Sequence, residues 1–189
     1  MPSSAVEEFI LIVATVIIGL VIFGYVTSSL IPAENFSLGQ QQASSLSTST
    51  TLSVGPLLIS KGGTGSTVVE VYNPSQKGFV TLLVFVEPSY LESSVGVLTP
   101  SSTQPFTVYL PNGQKANPLQ ITTPIYDING KVLYNPNPSI TVYTIPFNTP
   151  VTVNVQNVNS NDIIIIWVIY NTAGYWFRIS FSFTGVPLT

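Results

Sequence analysis

Apolar residues follow one another from Phe9 to Val26, FILIVATVIIGLVIFGYV, with no charge and only Thr15 as a clearly polar side chain. At 1.5 Å per residue such a run predicts a helix about 27 Å long, close to the depth of a bilayer core. Ser4-Ala5-Val6-Glu7 ahead of it has the S-x-x-E spacing of a capping box, and Glu7 and Glu8 would lie at the positive end of the helix dipole. The helix is expected to reach Ser28 or Leu30, where Pro32 would kink or stop it. The polar AENFSLGQQQASS that follows predicts a second helical stretch to about Ser45. The Ser/Thr-rich tract at Ser44–Ser53 then reads as a short solvated tether, or a carrier of O-linked sugar, leading into the first strand.

From Leu52 the hydrophobic period falls to two. Thr67–Tyr72 stops at Asn73-Pro74, Gly78–Val86 at Glu87-Pro88, and Phe106–Leu110 at Pro111-Asn112-Gly113. Ile125–Ile128 and Lys131–Tyr134 flank Asn129-Gly130, a strong hairpin signal. Ile140–Ile145 and Val151–Val155 come next, then IIIIWVIY at Ile163–Tyr170, which has the character of a fully buried strand. In Tyr175–Phe183 strict alternation predicts Tyr175, Phe177, Ile179, Phe181 and Phe183 on one face, with Trp176, Arg178, Ser180 and Ser182 opposite. Eight or nine strands separated by turn residues imply an antiparallel β-sandwich. The expected class is therefore α+β, with a long hydrophobic amino-terminal helix (residues 1–50 with its extension) and an immunoglobulin-like sandwich head at residues 51–189.

Composition narrows the chemistry. Only 7% of the 189 residues are charged, and no Cys or His is present. Disulfides and thiolate or imidazole metal ligands are thereby removed, together with the commonest general base and the Ser-His triads. The head carries five acids and five bases, which leaves no basic face for nucleic acid. Asp127-Ile128-Asn129-Gly130 shares part of a Ca²⁺-loop pattern but lacks its remaining ligands, so a hairpin turn is the better reading. Lys61-Gly-Gly-Thr-Gly-Ser fits neither glycine-rich phosphate motif. The strand tyrosines Tyr109, Tyr126, Tyr134 and Tyr143 are expected in packing rather than on a sugar-binding face. No catalytic residue, cofactor or metal is expected.

Nothing basic precedes the apolar run before Lys61, so Met1–Val26 reads as part of the working molecule with any basic leader already removed. The run then needs shelter. Its assembly residues are Phe9, Ile10, Ile12, Val13, Ala14 and Val16 in the first half, and Ile17, Gly19, Leu20, Ile22, Phe23 and Gly24 in the second. Ala14, Gly19 and Gly24 would permit close helix–helix approach. Asn35-Phe36-Ser37 is an N-glycosylation sequon if the chain is exported.

An acid just ahead of an apolar amino-terminal helix, an amphipathic extension and a β-rich head without Cys resembles the type IV pilin superfamily, in its archaeal branch of pilins and archaellins. The resemblance implies membrane insertion of a precursor, cleavage by a prepilin peptidase, and assembly by pilus machinery into an extracellular, cell-surface filament of many copies of the chain. Apolar helices would fill its core and heads its wall, in adhesion or motility. In bacterial relatives an acid five residues into the mature chain neutralises a neighbour's terminal amine, and Glu7 or Glu8 matches that position only if the mature end is Ser3 or Ser4. The alternatives are an archaellin, or a membrane-anchored β-sandwich such as an archaellum stator or surface adhesin.

Overall fold

The computed structural model describes residues 3–101 and 105–185. Helix α1 spans Ser3–Tyr25, a π-helical turn covers Val26–Leu30, and α2 spans Ile31–Ser49. Of the two outcomes expected at Pro32, a kink or a stop, the stop does not occur. Proline cannot donate a backbone hydrogen bond and its ring would crowd the carbonyl four residues back in a regular α-turn. The π-turn widens the coil just before it, with the Ile31 amide bonding the Val26 carbonyl five residues back. The chain divides into two compact units, Met1–Leu38 and Gly39–Thr189.

The last turns of α2 belong to the head. Gly39, Ala43 and Leu46 are buried, at a spacing that places them on one helix face. A Cβ on Gly39 would lie 3.1 Å from the Thr172 carbonyl oxygen and 3.2 Å from the Phe177 ring, so a side chain there would push these neighbours back by a few tenths of an ångström. The Ser47 hydroxyl donates to the Ile179 carbonyl at 2.6 Å, Gln40 Nε2 donates to that of Ile128, and the Thr172 hydroxyl donates to Gln42 Oε1. The tract expected as a tether is therefore helix as far as Ser49. Its small side chains let the helix approach the sheet, and the Thr48 and Ser49 hydroxyls bond carbonyls one turn back.

Twelve strands follow: β1 Thr51–Val54, β2 Leu58–Ile59, β3 Gly65–Tyr72, β4 Phe79–Pro88, β5 Phe106–Tyr109, β6 Asn117–Ile121, β7 Ile125–Tyr126, β8 Val132–Tyr134, β9 Ile140–Pro146, β10 Val151–Val155, β11 Asp162–Thr172 and β12 Tyr175–Gly185. A short 3₁₀ helix, Ser89–Ser94, leaves the end of β4. One sheet has the order β1-β3-β10-β5 with β2 also on β3, and the other the order β6-β9-β4-β11-β12-β7-β8. Among the described residues all strand pairings are antiparallel except β12 with β7. The class is α+β with a sandwich-like head, its sheets larger than the four and three strands of an immunoglobulin constant domain. Strands β2 and β6 are additions to the sequence expectation. Each lacks the alternation that marks a half-buried strand, and β6, NPLQI, is an exposed edge carrying Pro118.

The centre of the seven-stranded sheet is buried on both faces, which is why β11 is apolar without a break from Ile163 to Ile169. One face meets the five-stranded sheet: Phe106 on β5 packs edge-on against Tyr143 on β9, with ring centroids 5.0 Å apart. The other face holds a second core of Leu83, Phe85, Ile165, Trp167 and Ile169, closed by Val95, Ile121, Ile125, Ile140 and Val142. Phe85 and Trp167 meet there at 90°.

Strand β12 departs from the expected alternation. Ser180 pairs with Val168 and Arg178 with Ile169, leaving Ile179 as the extra residue of a β-bulge. Beyond the bulge the faces exchange. Phe181 and Phe183 pair with Trp167 and Ile165 and remain 43% and 37% exposed, while Thr184 turns inward and bonds the Gly55 carbonyl. The bulge also frees the Ile179 carbonyl that Ser47 caps.

A polar knot ties the end of α2 to two loops. Buried Asn73 donates from Nδ2 to Ser49 Oγ and Thr50 Oγ1, and its Oδ1 accepts from the Ser75 amide. Asn148, at φ +58°, accepts from the Asn73 amide and donates to the carbonyls of Asn73 and Gln76. Asn73→Ala removes three bonds and is expected to lower the unfolding midpoint by roughly 5–10 °C, or about 2–3 kcal/mol, in a calorimetric scan.

Candidate assembly surface

The π-turn and α1 present the apolar rod in a particular state. Every residue from Ser4 to Tyr25 is exposed, and the large aliphatic and aromatic side chains among them lie between 39% and 67% exposed. Apolar positions surround the axis rather than forming a stripe, so Phe9, Ile10, Ile12 and Val13 share no single inward face with Val16, Ile17, Leu20, Ile22 and Phe23. None of these side chains is buried, and the helix is long and apolar enough to cross a membrane.

Three hydroxyls of the rod bond its own backbone. Thr15 donates to the Leu11 carbonyl at 2.8 Å, Thr27 to that of Phe23 at 2.8 Å, and Ser28 to that of Gly24 at 2.6 Å. A helix whose hydroxyls bond its own backbone leaves little to desolvate when sealed in hydrocarbon or among other helices. Gly19 and Gly24 face open space, so nothing in the chain itself requires them to be small.

Ser4 is the second residue of α1. Glu7 and Glu8 follow, exposed, one turn into the helix. Asn35 is exposed on α2, eleven residues ahead of buried Leu46. Asp127 has the turn role expected of it: its Oδ1 accepts from the amides of Asn129 and Lys131, and Gly130 adopts φ +84°.

No protein-family model matches the chain and no curated protein matches it. Among solved structures, the human F-spondin reeler domain aligns with a TM-score of 0.35 at 11% identity, covering 74% of this chain and 89% of that one. A conjugate transposon protein fragment (27–141) from Bacteroides vulgatus aligns with a TM-score of 0.31 at 11% identity, over 74% and 86% of the two chains. Both likenesses are too slight to carry an inference.

Two features of the head were not visible as sites in the sequence. The Arg178 guanidinium lies 4.7 Å from the Trp167 ring centroid and 4.6 Å from that of Phe181, and it donates to the Gly96 carbonyl at 3.0 Å. Burial pulls its pKa down and nearby Asp127 pulls it up, burial being the larger effect. The second is a cleft of about 520 Å³ where the 3₁₀ helix meets the start of β11 and the end of β12. Alternation along β12 hid both, because it assigned Phe181 and Phe183 to the wrong face.

Proposed function

We propose that the chain is the structural subunit of an extracellular, archaeal type IV pilus-like filament, with α1 helices packed together in the core and β heads outside, serving adhesion or motility. The observation that carries this reading is the exposure of α1 on every side. Burying each large aliphatic side chain of the rod gains about 1.5–3 kcal/mol, and a helix apolar all round finds that burial only among like helices or in lipid. Glycines with open space beside them suit close packing between neighbouring copies. Under this reading the partners are other copies of the chain, the membrane before assembly, and the peptidase and assembly machinery of such pili.

A second reading is a membrane-anchored β-sandwich, favoured by the length of α1. Its 23 residues make roughly 34 Å of helix, enough to cross a lipid core of about 30 Å. Electron microscopy of the native surface material separates the two. Rods of uniform diameter that persist without detergent support the filament; monomers or small oligomers that need detergent support the anchor and overturn the filament.

A further inference from the structure

We propose that the cleft between the 3₁₀ helix and the ends of β11 and β12 binds a neutral, hydroxyl-rich sugar. Its volume of about 520 Å³ falls within the usual range of ligand sites. Tyr90 is 79% exposed and Phe183 37% exposed, and both line the cleft. Exposed rings of this kind offer flat apolar faces on which the C–H face of a pyranose packs. Around them stand Glu92, Ser160, Asn161 and Asp162, which supply carboxylate and carbonyl acceptors, an amide donor and a hydroxyl. Sugar hydroxyls both donate and accept, and match that mixed set.

Charge selects the ligand class. Among the described residues lining the cleft there are two carboxylates and no Lys or Arg. A phosphate, sulfate or acidic sugar would meet repulsion without a counter-charge. A lysine-bearing peptide would gain from the acids, but one oxygen of Asp162 already accepts from the Asn159 amide at 2.8 Å. The remaining polar lining is neutral, which favours a polyol over a cation.

The site is also held in place. The Ser89 amide donates to the Asn161 carbonyl at 2.8 Å, tying the start of the 3₁₀ helix to the facing turn, which the Asp162 amide closes on the Asn159 carbonyl at 3.1 Å. The β-bulge at Ile179 places Phe183 on the cleft side; unbroken alternation would have sent its ring toward the five-stranded sheet. Such ordering before binding lowers its entropic cost. The cleft lies at the end of β11 and β12 remote from the Thr172–Tyr175 turn, where Gly39 packs, roughly 33 Å away at 3.3 Å per residue.

Saturation-transfer NMR on the full-length chain in detergent tests the site. The probes are methyl α-D-mannopyranoside, methyl β-D-glucopyranoside, N-acetylneuraminic acid and Nα-acetyl-lysine methylamide. Transfer to at least one neutral glycoside is expected, with none to the acidic sugar. Tyr90→Ala and Phe183→Ala, with unchanged circular dichroism, are expected to weaken binding about fivefold or more, the loss of one aromatic contact. Glu92→Gln keeps the shape and is expected to weaken it less. Absence of transfer to either neutral glycoside, equal binding by the two aromatic variants, or transfer to the lysine probe alone overturns the proposal. Rod formation is scored separately by microscopy, and Tyr90→Ala is expected to leave it intact, so failure of sugar binding and failure of the filament reading are told apart.

Discussion

Ile17→Arg is expected to eliminate rods from cells that otherwise display them, while Ile17→Leu leaves them normal in number and diameter. Ile17 lies near the middle of α1 and is 55% exposed in the single chain. In a packed helical core its side chain would be enclosed by neighbours, and the variant loses its apolar contribution of about 1.5–3 kcal/mol. It must also bring a guanidinium into an apolar setting, at about 2.5–3.5 kcal/mol even on translocon-insertion scales. That sum applies to every copy, so a repeating assembly amplifies it. Electron micrographs and sedimentation of sheared surface material provide the measurement; abundant rods built from the Ile17→Arg variant would falsify a core made of α1.

The second large effect concerns where the head begins. A chain starting at Gly39 is expected to fold with a cooperative thermal transition. One starting at Thr51 is expected to melt at least about 10 °C lower, or not to fold. The difference is the eleven residues from Gly39 to Ser49 together with Thr50. Their removal uncovers the surface under Ala43 and Leu46, worth about 2–3 kcal/mol. The Ile179 carbonyl loses Ser47, Thr172 loses Gln42, and buried Asn73 loses both acceptors of its amide, at about 1 kcal/mol for each bond. Equal midpoints for the two truncations would show that the helix end is an ornament on an independent sandwich.

Sequence alone carried the gross division because its signals there are strong and local. Eighteen uncharged residues with Thr15 alone clearly polar admit few readings, and Asn129-Gly130 between β-prone runs specifies its hairpin. The departures arise where a tertiary contact overrode a local rule. Pro32 is a helix breaker by itself, but the preceding π-turn absorbs it. Ser44–Ser53 reads as solvated tether by composition, and the Gly39, Ala43, Leu46 face that docks it is small and widely spaced among polar neighbours. The exchange of faces in β12 comes from one unpaired residue, Ile179, which nothing in the alternating YWFRISFSF announces. The cleft was illegible for the same reason, since Tyr90, Asp162 and Phe183 lie far apart in the chain and meet only through the β4-β11-β12 pairing. The tyrosines followed their expected part in packing at Tyr143 on Phe106 and at Tyr126, whose ring centroid is 5.9 Å from that of Phe177.

The rims of the seven-stranded sheet bear on how such heads tolerate crowding. Outermost β6 interrupts its row of amide donors with Pro118, and outermost β8 is three residues long. Neither offers a template along which a neighbour's backbone can zip. Under the filament reading, heads held at very high local concentration would therefore not anneal through the rims of this sheet into an amyloid-like ribbon.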